Sequence, residues 1–263
     1  MEIKEEKEKE KFDYIISLGG NCSVGLQLKK RRLRTCSFPL DWLYLENKEN
    51  AIKMINEFRN DFSNSFAVEN LVTIDDNMNK YNHYDKVSGY NFIHTFMHKD
   101  TDIKNLKKDE EKIKKRIKRL YSTCDKKVAF IFSVRFDLED KYINELYKII
   151  NSKWKNAKLY VILFNTPEDS EKDDGNLFVW RLKRQTDSYD FWETNYIWHF
   201  LDNFQVEEYK KLLFGQILYK RIYKGIKIRL LPKITALFCL QLFIFGLRLI
   251  LSIGKEKNVF REV

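Results

Sequence analysis

The stretch FDYIISLGGNCSVGLQLKK, residues 12–30, decides the reading of the fold. Tyr14, Ile15, Ile16 and Leu18 form a run of apolar and β-branched side chains that breaks at Gly19-Gly20, and an amphipathic segment carrying Val24, Leu26 and Leu28 follows. The expected local structure is strand, tight turn, helix. Asn21 and Cys22 fall at the junction. There the first turn of the helix leaves backbone N–H groups without intrahelical partners and carries the positive end of the macrodipole. Such a position lowers a thiol's pKa and presents the nucleophilic thiolate. Cys22 is therefore the first candidate functional residue.

Downstream, KKRRLRT (29–35) reads as a basic helix end, where cations are favoured. The next stretch, CSFPLDWLYLE (36–46), is denser in aromatics than a solvent loop requires. Pro39 pushes Phe38 toward an extended conformation, and Asp41 is a carboxylate in the apolar company of Leu40 and Trp42. A buried carboxylate must find partners. Three roles are open to it: capping a helix that starts at Trp42, bonding nearby N–H groups, or orienting a catalytic group.

Residues 49–66 place Ile52, Ile55, Phe58 and Phe62 on a helical core face, and Leu71 to Ile74 form a short extended piece before a polar loop that runs to Gly89. In YNFIHTFMHKD, a strand over 90–97 would put Tyr90, Phe92, His94 and Phe96 on one face. On a helix, His94 and His98 would align as a metal pair, but no third ligand accompanies them in HTFMH, and no metal or cofactor is expected. Taken alone, His94 reads as a core histidine with a satisfied ring or as a surface one.

The later chain alternates helices and buried strands. Ile103, Leu106, Ile113, Ile117 and Leu120 mark a helix over 103–121; KKVAFIFSVR (126–135), KLYVILFN (158–165) and LFVWRLKR (177–184) are strands, and 139–152 is a helix. That order implies a parallel crossover and an α/β fold with three layers around a mostly parallel central sheet. TPEDSEKDDGN (166–176) reads as an acidic loop, and FWETNYIWHF (191–200) as an edge strand or irregular cover, with His199 structural.

Composition narrows the class. Of 263 residues, 44% are hydrophobic and 15% aromatic, enough for a folded core. The net charge of +10 suits an anionic partner. Cys22, Cys36, Cys124 and Cys239 lie far apart without CxxC spacing, so neither a zinc site nor a disulfide framework is signalled, and a reducing compartment is expected. MEIKEEKEKEK lacks the apolar core of a signal peptide and reads, over 1–11, as a flexible charged lead-in to an α/β domain over 12–205.

Residues 206–263 change character. Lys220, Arg221, Lys224, Lys227, Arg229 and Lys233 precede ITALFCLQLFIFGLRLILSI (234–253), a C-terminal hydrophobic helix of about bilayer length. It can span a membrane, lie in its plane, or pack as a buried helix. The basic flank favours contact of 220–253 with an anionic membrane surface over nucleic acid, with the preceding domain in the cytoplasm at the inner face.

Taken together, SLGGNC, then RTCSFPLDW, then FIHTF, resembles a bacterial family described as putative papain-like cysteine peptidases. A basic helix such as KKRIKRL and a strand ending in Arg, as in FSVR, extend the resemblance over about residues 12–200. The resemblance implies a thiol nucleophile at Cys22 and a general base at His94, with Asp41 or Asn21 as orienting or oxyanion-stabilising groups. A peptide or acyl substrate would then lie near Trp42. Two other readings stand beside it. One is a transferase acting on cell-envelope precursors, in which Arg34 and Arg135 hold a phosphate or carboxylate; the other is a non-catalytic membrane-associated binding protein, in which Cys22 is simply a small buried residue.

Overall fold

The computed structural model describes residues 9–74, 82–92, 95–96, 98–99, 101–183 and 196–206. The chain divides into two units, Met1–Glu207 and Glu208–Val263, and the described residues all belong to the first. The basic and apolar C-terminal stretch therefore lies outside the described residues. Among those that are described, no helix is long and apolar enough to cross a membrane.

The opening motif forms as its pattern dictates. Strand β2 (Tyr14–Ser17) ends at Gly19 and Gly20, whose φ values of 72° and 88° lie in the left-handed region, and helix α1 (Cys22–Lys30) begins immediately after them. Glycine is needed for space as well as for φ. A Cβ on Gly20 would meet the Ser133 carbonyl oxygen inside any permitted distance and Val134 Cγ1 at 2.8 Å, while one on Gly19 would meet the Leu40 carbonyl oxygen at 2.8 Å.

The main sheet is mixed. It runs β2, β7 (Lys127–Val134), β8 (Asn156–Thr166), β10 (Leu177–Lys183), β9 (Ser170–Asp173), with every pairing parallel except β10 with β9. Residues 128–134 of β7 are all buried, as expected of a strand covered on both faces. Helix α4 (Asp140–Lys153) links β7 to β8 and buries Ile143, Leu146, Ile149 and Ile150. Helix α2 (Lys48–Arg59) packs against α4, and its Phe58 ring stacks on Trp154 at 5.8 Å.

A second sheet is antiparallel, in the order β3 (Leu43–Tyr44), β6 (Asn91–Phe92), β5 (Asn82–Asp85), β4 (Leu71–Ile74). Phe66, Tyr90, Phe92 and Phe96 join it to the core through ring contacts, the closest being Phe92 to Phe96 at 4.8 Å. The amphipathic helix α3 (Ile103–Tyr121) follows with the expected bounds, burying Leu106, Ile113 and Leu120.

Several expectations need correction. Glu10 and Lys11 belong to a strand, β1 (Glu10–Phe12), which pairs in parallel with β11 (Phe204–Val206); Glu10 bridges Lys127 and Lys158, giving the charged lead-in a docked end. No helix starts at Trp42, because its φ of 67° is left-handed, and the chain passes instead into β3. Of the strand expected over 90–97, Asn91–Phe92 form β6, Tyr90, Thr95 and Phe96 belong to no strand, and 93, 94 and 97 lie outside the described residues. Part of the acidic loop forms the edge strand β9, whose polar, largely exposed side chains conceal it from a hydrophobic pattern. Of 191–200, the described part is a 3₁₀ helix, Tyr196–Asn203, and no strand.

The two kinds of positive-φ glycine separate strain from crowding. Gly175 also has positive φ, at 78°, but nothing lies within 4 Å of a Cβ placed on it. Gly175→Ala should cost only the left-handed strain of an L residue, about 1 kcal/mol in urea unfolding. Gly20→Ala should cost roughly 3 kcal/mol or more, because the turn must also move away from β7. Equal costs at the two sites would contradict this close packing.

Candidate active site

The site is assembled at the carboxyl ends of β2 and β7, where open α/β sheets commonly place ligands. Asn21 is the residue that builds it. Its backbone is extended and its side-chain oxygen accepts the Ser23 N–H at 3.0 Å, capping α1, and also contacts the Ser23 hydroxyl. The Nδ2 group of the same side chain donates to the Ser133 carbonyl oxygen at 3.0 Å and to Ser133 Oγ at 2.8 Å. One buried amide thus ties the start of the helix to the end of the neighbouring strand, and both of its Nδ2 hydrogens are committed.

Cys22 is the first residue of α1 and is half-buried, with Sγ donating to the Trp42 carbonyl oxygen at 3.8 Å. Burial pushes the thiol up from its ordinary pKa, and the nearby Arg135 charge pulls it back down. The net direction is upward, opposite to the lowering expected from a helix N-terminus. Water is excluded from the sulfur more effectively than the surrounding charge favours its anion. The resting group is a neutral thiol donating to a carbonyl, and its use as a nucleophile requires a base.

Asp41 is 1% exposed and does not face the thiol among its hydrogen-bond partners. Its Oδ2 accepts Arg34 Nε at 3.0 Å, Arg34 Nη2 at 2.8 Å and the Phe38 N–H at 3.0 Å. Burial raises the carboxyl above its ordinary range, opposed by Arg34, by the Phe38 N–H and by Arg116. Of the three roles open to Asp41 in the sequence, the bond to a nearby N–H is present and the helix cap is absent; the guanidinium it holds is that of Arg34.

Trp42 joins these parts. Its carbonyl receives the Cys22 thiol, its ring packs over Gly25 on α1, and Arg34 Cζ lies 5.6 Å from the ring centroid. A tryptophan at φ 67° is a strained residue held by its surroundings, and such strain gathers at functional sites.

His94 lies outside the described residues. The other histidines have local roles: buried His83 pairs with Thr73 Oγ1 at 3.2 Å and the His98 carbonyl at 2.9 Å, and His199 faces Asp202. No group of three metal-ligating side chains occurs among the described residues. Cys36 and Cys124 form no disulfide and are half-buried, as Cys22 is.

Two contributors were not singled out in the sequence. Ser133 is a polar side chain inside the apolar run of β7, a detectable anomaly. Arg116 sits on the charged face of α3 and lines a cavity with Arg34, Ser37, Trp42 and Thr95; nothing in KKRIKRL distinguishes it from its neighbours.

The protein is a mixed α/β protein, and its candidate site is a half-buried thiol at the head of a helix, at the carboxyl edge of a parallel pair of strands. The family model described as putative papain-like cysteine peptidase matches residues 13–160. The chain belongs to that family. No curated protein and no solved structure matches it.

The raised thiol pKa sets a pH dependence. An acid whose folded pKa is raised is protonated over a wider range, so its reactive anion appears only at higher pH than in the unfolded chain. Alkylation of Cys22 by iodoacetamide, followed by peptide mapping, should therefore inflect above the ordinary thiol value of about 8.5. An inflection below about 7 would show that the helix terminus and Arg135 outweigh burial.

Proposed function

We propose that the chain is a cysteine peptidase or a related thiol acyl hydrolase, with Cys22 as nucleophile and His94 as general base. The observation that carries this reading is the Cys22 thiol itself, half-buried at the first position of α1 and anchored through Asn21 to the end of β7. Membership of the family described as putative papain-like cysteine peptidases supports it.

In this mechanism His94 removes the thiol proton and Cys22 Sγ attacks the acyl carbonyl carbon. The oxyanion is met by first-turn amides of α1 other than that of Ser23, which Asn21 already accepts. The tetrahedral intermediate collapses to a thioester as His94 returns the proton to the leaving amine or alkoxide. Water, deprotonated by His94, then attacks the thioester and regenerates the thiol. Asn21 is a positioning residue, its Nδ2 hydrogens being spent on Ser133. Asp41 acts on the substrate side by holding Arg34, and Arg135 favours the thiolate. The basic and apolar segment over 220–253 holds this domain to an anionic membrane surface on the cytoplasmic side.

Hydrolysis of a peptide and activated-ester panel tests the assignment. Cys22→Ser and His94→Ala should each lower kcat/KM by about 10² to 10⁴ while far-ultraviolet circular dichroism stays unchanged. Arg135→Ala should lower it by only about tenfold, through the thiolate fraction. Retained activity in Cys22→Ser with loss in Arg135→Ala would favour the transferase reading, in which the arginines hold an anionic substrate.

A further inference from the structure

Beside the thiol site, the cavity of about 320 Å³ lined by Arg34, Ser37, Trp42, Thr95 and Arg116 is unusual in its chemistry. Its described lining holds two guanidinium groups, two hydroxyls and an indole, with no carboxylate among the described residues. Three separate segments contribute: the connection from α1 to β3, the stretch after β6, and α3.

The two arginines differ in how they are satisfied. Arg34 gives Nε and Nη2 to Asp41 and shares Nη2 with Ser37 Oγ at 2.8 Å; Nη1 has no hydrogen-bond partner among the described residues. Arg116 is half-buried and makes no hydrogen bond or ion pair among the described residues. Burial lowers its pKa from the ordinary value; Asp41 and Asp109 oppose that, and the Arg34 and Arg119 charges add to it. Of the two carboxylates whose charges reach it, Asp41 is committed to Arg34 and Asp109 to Lys112. A guanidinium partly withdrawn from water, with no protein acceptor among the described residues, is open to an occupant bringing negative oxygens.

We propose that this cavity is a phosphoryl-binding subsite. Arg116 and Nη1 of Arg34 would hold the terminal oxygens, the Ser37 and Thr95 hydroxyls would supply further donors, and the Trp42 ring would pack against the group that bears the phosphoryl. Donors arriving from three segments suit a tetrahedral group with three terminal oxygens better than a planar carboxylate. Because the Trp42 carbonyl accepts the Cys22 thiol, a substrate anchored here lies next to the proposed nucleophile. That link to hydrolysis rests on the reading of Cys22 given above, whereas the binding does not.

Titration calorimetry of the full chain with inorganic phosphate, phenyl phosphate and acetate at matched ionic strength tests the subsite. Arg116→Ala should weaken phosphate binding by at least about tenfold, Arg116→Lys by less, and Cys22→Ala not at all. Phenyl phosphate should bind more tightly than inorganic phosphate; equal affinities would assign the site to free phosphate and overturn the role given to Trp42. Thermal unfolding without phosphate should be the same in Arg116→Ala as in the parent chain. Absence of phosphate binding in the parent, unchanged binding in Arg116→Ala, or acetate binding as tight as phosphate would each overturn the proposal. Loss of hydrolysis in Cys22→Ala with phosphate affinity retained separates the two readings, because it bears on the nucleophile alone.

Discussion

The Asn21 side chain, capping α1 with its oxygen and donating both amide hydrogens to Ser133, is the interaction on which the rest of the site depends. It makes the helix start and the end of β7 a single rigid corner, and it does so in a buried setting where an unmet amide would be costly. Gly20 makes the corner possible by letting the turn run against the Ser133 carbonyl with no Cβ between them. Everything chemical is hung from this corner: Cys22 is the next residue, and Trp42, whose carbonyl takes the thiol, packs its ring on Gly25 one turn further along α1.

Electrostatics around that corner are divided by burial. The thiol is shielded enough that its neutral form is favoured, and Arg135 only partly reverses this. On the other side of Trp42, Asp41 is almost fully buried yet tolerated, because Arg34 and the Phe38 N–H meet the same oxygen. The carboxylate therefore acts by holding a cation beside a cavity, and Arg116 adds a second, unmatched one. In the proposed reading, a nucleophile that waits for a base and a pocket that waits for an anion would be two halves of one substrate-binding arrangement, joined through the backbone and ring of Trp42, whose φ is left-handed.

Much of the fold was legible because strong patterns were also local. The strand, turn and helix around Gly19-Gly20, the stripe of α3, and the apolar runs of β7, β8 and β10 all appear where their periodicity places them. The misses have physical causes. Strand β9 is a polar edge strand, and β1 draws its register from a partner nearly two hundred residues away, so neither carries a hydrophobic signature. In the site, Cys22, Asn21, Asp41, Arg34, Trp42 and Arg135 were all nominated, but the pairing of Asp41 with Arg34 was not, since a side-chain contact across a loop leaves no spacing to read. Ser133 was not singled out, although a polar residue in an apolar strand is a readable anomaly, and Arg116 was hidden by the lysines and arginines around it.

The central claim is that the α1 corner singles out one thiol for acyl chemistry. Single-turnover reaction with an activated ester, quenched in acid and mapped by peptide mass spectrometry, tests it most directly, with Cys36 and Cys124 as internal controls. The account predicts a rapid burst whose thioester sits on Cys22 and decays by hydrolysis, while the control thiols stay unmodified over the same time. Acyl groups spread evenly over Cys22, Cys36 and Cys124, or none on Cys22, would contradict it.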